Sequence, residues 1–196
     1  MLEEVQLIWN KVNSKFLNFY NPIRMKNFLL LGLLLMAIGC TSKTKYTQQS
    51  PEIDIVKSII GNYVNGEWDE YAAHYAEGAT VFFNTTEENP SSIQEIIAGQ
   101  KLSIEPLSSY SFVRDKEELE MVLTDEGETW VNYWGLWKGT IAANNKTFEM
   151  PVHITSQFVD GKIVKTFGYW ESAPMQIELM KIQEAAAEMA EIETPE

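Results

Sequence analysis

The sequence predicts an α+β domain, with an antiparallel sheet covered on one face by about three N-terminal helices and a further helix at the C-terminus. Three observations carry this. First, residues 150–170, MPVHITSQFVDGKIVKTFGYW, read as two long strands joined at Asp160-Gly161, a dipeptide typical of tight hairpin turns. Side chains alternate along a strand, so Met150, Val152, Ile154, Ser156 and Phe158 share one face while Pro151, His153, Thr155 and Gln157 share the other. Second, apolar residues recur at helical spacing through Ile53, Val56 and Ile60. Third, everything from Tyr110 to Trp170 reads as strand and turn, and an apolar sheet face needs a helical cover.

The chain opens with a segment that has little place in the domain. Phe28–Ile38, FLLLGLLLMAI, spans only ~16 Å as a helix, too short for the ~30 Å hydrocarbon core. Arg24 and Lys26 before it, and Ala37 and Gly39 after it, make a secretory signal the better reading than a core helix. Met25-Lys26-Asn27 is a natural start for such a signal, which leaves residues 1–24 as an over-called start or a long leader. Cys40, the sole cysteine, follows directly, so no internal disulfide is available. Over residues 1–39, Lys11, Lys15, Arg24 and Lys26 outnumber Glu3 and Glu4 by two; with a whole-chain charge of −13, the remainder carries −15. That balance disfavours nucleic acid and direct docking on anionic lipid headgroups.

Residues 41–50, TSKTKYTQQS, form a polar tether, and Pro51 opens the domain in a first helical turn. The first helix ends near Asn65-Gly66. A second is expected over WDEYAAHYAEG, with Trp68, Tyr71, Ala72 and Tyr75 on one face and Gly78 as its stop. Ala79–Phe83 is a strand and Asn84–Pro90 a turn. Ser92 and Glu95 form a capping box for a third helix reaching about Lys101. Strands follow at Glu118–Leu123 and Thr129–Lys138, with Gly135 marking a bend or bulge and Ala143–Lys146 a hairpin turn. Ser172-Ala173-Pro174 caps a last helix, whose acidic end over 182–196 is expected to fray. Glycine-rich phosphate loops, zinc-protease motifs and nucleophile elbows do not occur in the sequence, so no cofactor is implied.

Ala37-Ile38-Gly39-Cys40 resembles the lipobox of bacterial lipoproteins, with Ala37 in place of the more usual Leu. That resemblance implies cleavage before Cys40, acylation there, and a bacterial envelope location, at the periplasmic face of the outer membrane. Two or more acyl chains would give stable attachment.

NGEWDEYAAHYAEGATVFF, the paired strands with FVDGKIV, and GYWES before the final helix resemble the SnoaL-like, nuclear-transport-factor-2-like superfamily. The likeness runs over residues 51–181 and implies a cone-shaped fold with a curved sheet. It fixes no single function, since one such scaffold carries isomerases, dehydratases, cyclases and plain binding modules. Ketosteroid isomerases of this superfamily use one Tyr and two Asp. Anchored on Asp69, Ala79-Thr80-Val81 and Phe158, those three positions fall on Ile59, Phe83 and Ile154, none of which can exchange a proton. Soluble members often pair through the outer sheet face, so a homodimer is expected with His153, Thr155 and Gln157 at the interface.

The expected ligand-binding set is Ile59, Tyr63, Tyr75, Phe83, Asn84, Tyr133, Ile154 and Trp170. On the Thr129–Lys138 strand, Trp130, Asn132 and Trp134 oppose Val131, Tyr133 and Trp137. In the last hairpin, a plain two-residue turn puts Phe167 and Tyr169 beside Ile154, whereas a bulge at Gly161 puts Thr166, Gly168 and Trp170 there; the cone favours the second. His74 and His153 are the weak catalytic candidates. His74 reads better as a structural histidine and His153 as an outer-face residue, and no third ligand is spaced to make a metal site of them. The function expected is non-catalytic binding of a small apolar ligand in an aromatic-lined cone. The alternatives are a dehydratase, isomerase or cyclase using His74 or a Tyr–Asn pair, and a dimeric interaction domain with a filled cone.

Overall fold

A computed structural model describes residues 45–193, together with Glu3, Glu4, Gln6, Leu7, Trp9, Asn10 and Lys11. The chain divides into two units, Met1–Lys43 and Thr44–Glu196; the described residues of the first are helical. The expected signal segment at 25–39, Cys40, and residues 41–44 lie outside the described residues.

The second unit begins inside the expected tether. Tyr46–Thr47 (β1) pairs antiparallel with Glu118–Leu123 (β4), and an ion pair joins Lys45 to Asp125 beyond the strand end. Ser50 then caps helix α1, Pro51–Asn65, its hydroxyl accepting from the Ile53 N–H at 3.2 Å. Gly66 ends the helix in the left-handed region at φ 71°, open to glycine without steric cost. Ile53, Val56, Ile59 and Ile60 are buried along one face, as their spacing predicts.

Helix α2 is shorter than expected. It covers only Trp68–Ala73, and Tyr75–Phe83 is strand β2. Tyr71 and Tyr75 look like one helical face because they are four apart. In fact their rings stack across the helix-to-strand junction, centroids 5.7 Å apart. Two bonds draw this segment into the sheet: Ile163 N–H donates to the His74 carbonyl at 3.0 Å, and the Lys162 ammonium donates to that of Ala73. Gly78, expected as a helix stop, instead lies within β2 at φ 75°, where the pairing shifts register.

Helix α3, Ile93–Ile104, carries the expected capping box: Glu95 N–H donates to the Ser92 hydroxyl, and Ser92 N–H to the Glu95 carboxylate at 2.8 Å. It runs three residues past Lys101. Beyond it come β3 (Leu107–Phe112), a 3₁₀ turn (Arg114–Lys116), β4, β5 (Thr129–Ile141), β6 (Thr147–Val159), β7 (Lys162–Trp170) and α4 (Ala173–Glu193). The last helix continues past 182 to Glu193, exposed over residues 183–189.

The sheet order is β1-β4-β5-β6-β7-β2, with β3 taking over from β4 along the far half of β5. The α+β class stands, but the sheet is mixed: β2 runs parallel to β7. Asp160 (φ 50°) and Gly161 (φ 74°) make a tight turn with Val159 opposite Lys162, so Gly161 is not the bulge. Val164 is. Phe158 faces Ile163 and Gln157 faces Lys165, leaving Val164 unpaired and setting Ile154 opposite Gly168, the register the cone requires.

Gly135 is neither bend nor bulge. The β5–β6 ladder passes through it unbroken, with Gly135 opposite Val152. Its missing side chain seats the Tyr133 ring: a Cβ there would fall 2.2 Å from the Tyr133 hydroxyl oxygen. Gly139 seats Trp137 and Gly168 seats Phe83 and Trp170 in the same way. Large rings can thus lie flat along the concave face. We expect Gly135→Ala to displace the Tyr133 ring and lower stability by about 2 kcal/mol, measured as a shift in denaturant midpoint at constant slope. An unchanged midpoint would show that the ring has another place to go.

Candidate functional site

Between the helices and the concave sheet face lies a cavity of about 370 Å³. Helix α1 contributes Val56, Ile59, Ile60 and Tyr63. The α2–β2 junction adds Tyr71, Tyr75 and Phe83, and α3 adds Ile96, Gly99 and Gln100. From the sheet come Trp137, Met150, Val152, Ile154, Ser156 and Trp170, and Met175 and Gln176 of α4 complete the wall.

Seven of the eight sequence-predicted residues, Ile59, Tyr63, Tyr75, Phe83, Asn84, Ile154 and Trp170, line this space. Tyr133 does not. Only 1% exposed, its ring folds over Gly135, meets Phe112 edge-on at 5.7 Å, and donates its hydroxyl to Glu117 at 3.2 Å. Burial, with the Glu117 charge beside it, drives its pKa far above the ordinary phenol value. Ile59, Phe83 and Ile154 present apolar atoms to the cavity.

Asn84 stands at the rim, and both polar atoms of its amide have partners. The side-chain oxygen accepts from the Trp170 N–H and the side-chain nitrogen donates to the Trp170 carbonyl, each at 3.0 Å. The backbone sits at φ 52°, a region Asn tolerates better than most residues. Asn84 is therefore a clamp extending the parallel β2–β7 pairing.

Neither histidine lines the cavity. His74 caps α2, partly buried; desolvation and the nearby Lys162 charge lower its pKa, favouring the neutral ring. His153 lies on the convex face, stacked on Trp134 at 4.8 Å, with Nδ1 donating to the Tyr133 carbonyl at 3.2 Å. The lining's one carboxylate among the described residues, Glu95, is held at the rim by Ser92, whose hydrogen bonds lower its pKa. Among the described residues, no poised acid or base faces the cavity interior.

What does line it is a set of hydroxyls that the linear sequence hides: Ser156, Tyr75 and Tyr71. Ser156 and Thr166, directly opposite on β6 and β7, are 2.9 Å apart and buried. The Tyr75 side chain interacts with both Thr166 and Tyr71, and Tyr71 accepts from the Gln100 amide at 3.5 Å. Tyr63, on another wall, accepts from the Trp137 indole N–H at 3.2 Å. The only early signal of this set was the Tyr71–Tyr75 spacing, which also fits a helix.

Burial pushes the Tyr63 phenol to about 12, despite the opposing Trp137 N–H, and raises Tyr71 and Tyr75 as well. Unfolded tyrosines ionise near ~10. Folded-state values above that mean a stabilisation fully present below pH ~10 and lost as the pH climbs toward about 12. Stability measured against pH should therefore fall across that window, and Tyr63→Phe should make the fall shallower. An identical profile in the variant would place Tyr63 in water.

No family model and no curated protein sequence matches the chain. Solved structures do. IdmH from Streptomyces antibioticus, described as a candidate polyketide cyclase, superposes with TM-score 0.53 at 14% identity, over 67% of this chain and 99% of its own. A protein of Xanthomonas campestris pv. campestris with the same description gives 0.52 at 16%, over 66% and 96%. An NTF2-like protein of unknown function from Burkholderia pseudomallei gives 0.51 at 12%, over 65% and 95%. The helix-covered, curved sheet of this chain is the SnoaL-like, nuclear-transport-factor-2-like cone fold.

Proposed function

We propose that the domain binds a small, largely apolar molecule in its cone without turning it over, as part of a lipid-anchored bacterial envelope protein. The observation that carries this is the wall itself: about 370 Å³ of space bounded by Ile59, Phe83, Ile154 and Trp170, with no base or acid among the described residues aimed inward. Such a volume is within the usual range for small-molecule sites and speaks against a cone filled by its own side chains. A second reading, cyclase or isomerase, is favoured by the phenol row and by the descriptions of the two cyclase-like neighbours. It requires a group that gives up a proton readily, and the buried phenols hold theirs more firmly than free tyrosine.

The anchor is Cys40, at the periplasmic face of the outer membrane. Because β1 starts at Tyr46, only about six residue steps separate the lipid from the sheet, a reach of at most ~20 Å. The domain then sits against the membrane rather than on a long leash. The convex face supports a homodimer. Trp130 stacks on Phe167 and Phe167 on Phe82, while Trp134 (39% exposed) and Tyr169 (49%) remain open to solvent.

Native mass spectrometry of the protein extracted from its own envelope reads all three features. The expected spectrum shows an acylated chain beginning at Cys40, a dimer, and a small molecule retained in the cone. A chain with neither bound molecule nor affinity for any apolar probe would overturn the binding role.

A further inference from the structure

One side of the cavity is chemically unlike the rest. Ile59, Ile60, Phe83 and Ile154 offer only apolar surface, whereas Tyr71 and Gln100 border it from α2 and α3 with hydrogen-bonding capacity to spare. Gln100 donates an amide N–H to the Tyr71 hydroxyl oxygen at 3.5 Å, so that oxygen is the acceptor in the contact and its own proton is left for another partner.

At the other end of the Gln100 amide, Oε1 is buried with no partner. A buried acceptor left unsatisfied is costly, so such atoms call for an explanation. Here the explanation is that both groups border the same cavity.

We propose that the ligand carries an acceptor and a donor side by side, a carbonyl next to an N–H or hydroxyl, on an otherwise apolar body. Its carbonyl accepts from Tyr71 and its donor satisfies Gln100 Oε1. Primary amides, neutral carboxylic acids and hydroxyketones or their enols have that pattern; hydrocarbons, ethers and esters lack the donor. The apolar remainder lies against Ile59, Ile154 and Trp170. This rests on the binding role proposed above and adds the chemistry the site selects.

The test uses three probes of one size and shape: naphthalene-2-carboxamide, the methyl ester of the same acid, and 2-methylnaphthalene. Affinities are measured by titration calorimetry on the full chain. Tyr71→Phe and Gln100→Leu should each weaken the amide about tenfold while leaving 2-methylnaphthalene unchanged, and Gln100→Leu should leave the ester unchanged as well. Tyr63→Phe, on another wall, should not alter the ratio of amide to hydrocarbon. Phe keeps the Tyr71 ring in place, so loss of fold is not the expected confounder. If all three probes bind and both variants leave the amide untouched, the selective site is disproved while the binding role survives. If none of the three binds, the binding role fails and this inference with it.

Discussion

One unpaired residue, Val164, decides what is inside this domain. Before it, Ile163 points into the core; after it, the inward positions become Thr166, Gly168 and Trp170. Side chains alternate with a period of two, so without the bulge every residue beyond it would exchange faces. Phe167 and Tyr169 would then enter the cavity, and Trp170 would leave it. Thr166 could no longer meet Ser156 or Tyr75, and the hydroxyl row would have no foundation. Asn84 secures the far end of the same strand by bonding both backbone groups of Trp170. Cavity shape and cavity chemistry thus depend on the same strand register.

The cavity stays open because the concave face alternates very large side chains with none at all. Tyr133, Trp137 and Trp170 lie over glycines rather than standing upright into the space beneath the helices. A sheet of Leu and Val at those positions would present a more even surface, which the helices could approach until the void closed. Gln100 Oε1 is buried on this wall without a partner, and a desolvated group left so is costly.

Much of this was legible in the residues themselves. Ser50, Gly66 and the Ser92–Glu95 box mark helix ends by hydrogen bonds made within a few residues, so local sequence is enough. Alternation on β6 fixed which face Ile154 takes. The β7 register was harder: Asp160-Gly161 announces the turn, but a β-branched Val carries no mark of a bulge. The α2–β2 junction misled because alanines and tyrosines spaced by four favour a helix locally, while Ile163 and Lys162, ninety residues on, claim that backbone for the sheet. Tyr133 failed as a lining residue for a related reason. It has the right face, but Gly135 lets it lie down toward Glu117. The Tyr71–Gln100 pair joins two helices, and nothing in either segment names the other.

The most direct measurement replaces Ile154 by Asp and follows stability against pH. If Ile154 faces an apolar cavity, the carboxylate is desolvated there and its folded pKa rises above the unfolded ~3.9. The penalty then applies above the unfolded pKa and fades as the pH falls below it. The account predicts a loss on the order of 3 kcal/mol at pH 7, recovered in acid as the carboxyl protonates. A variant as stable as the parent at pH 7 would put residue 154 in water, reverse the faces of β6 and β7, and turn His153 toward the cavity.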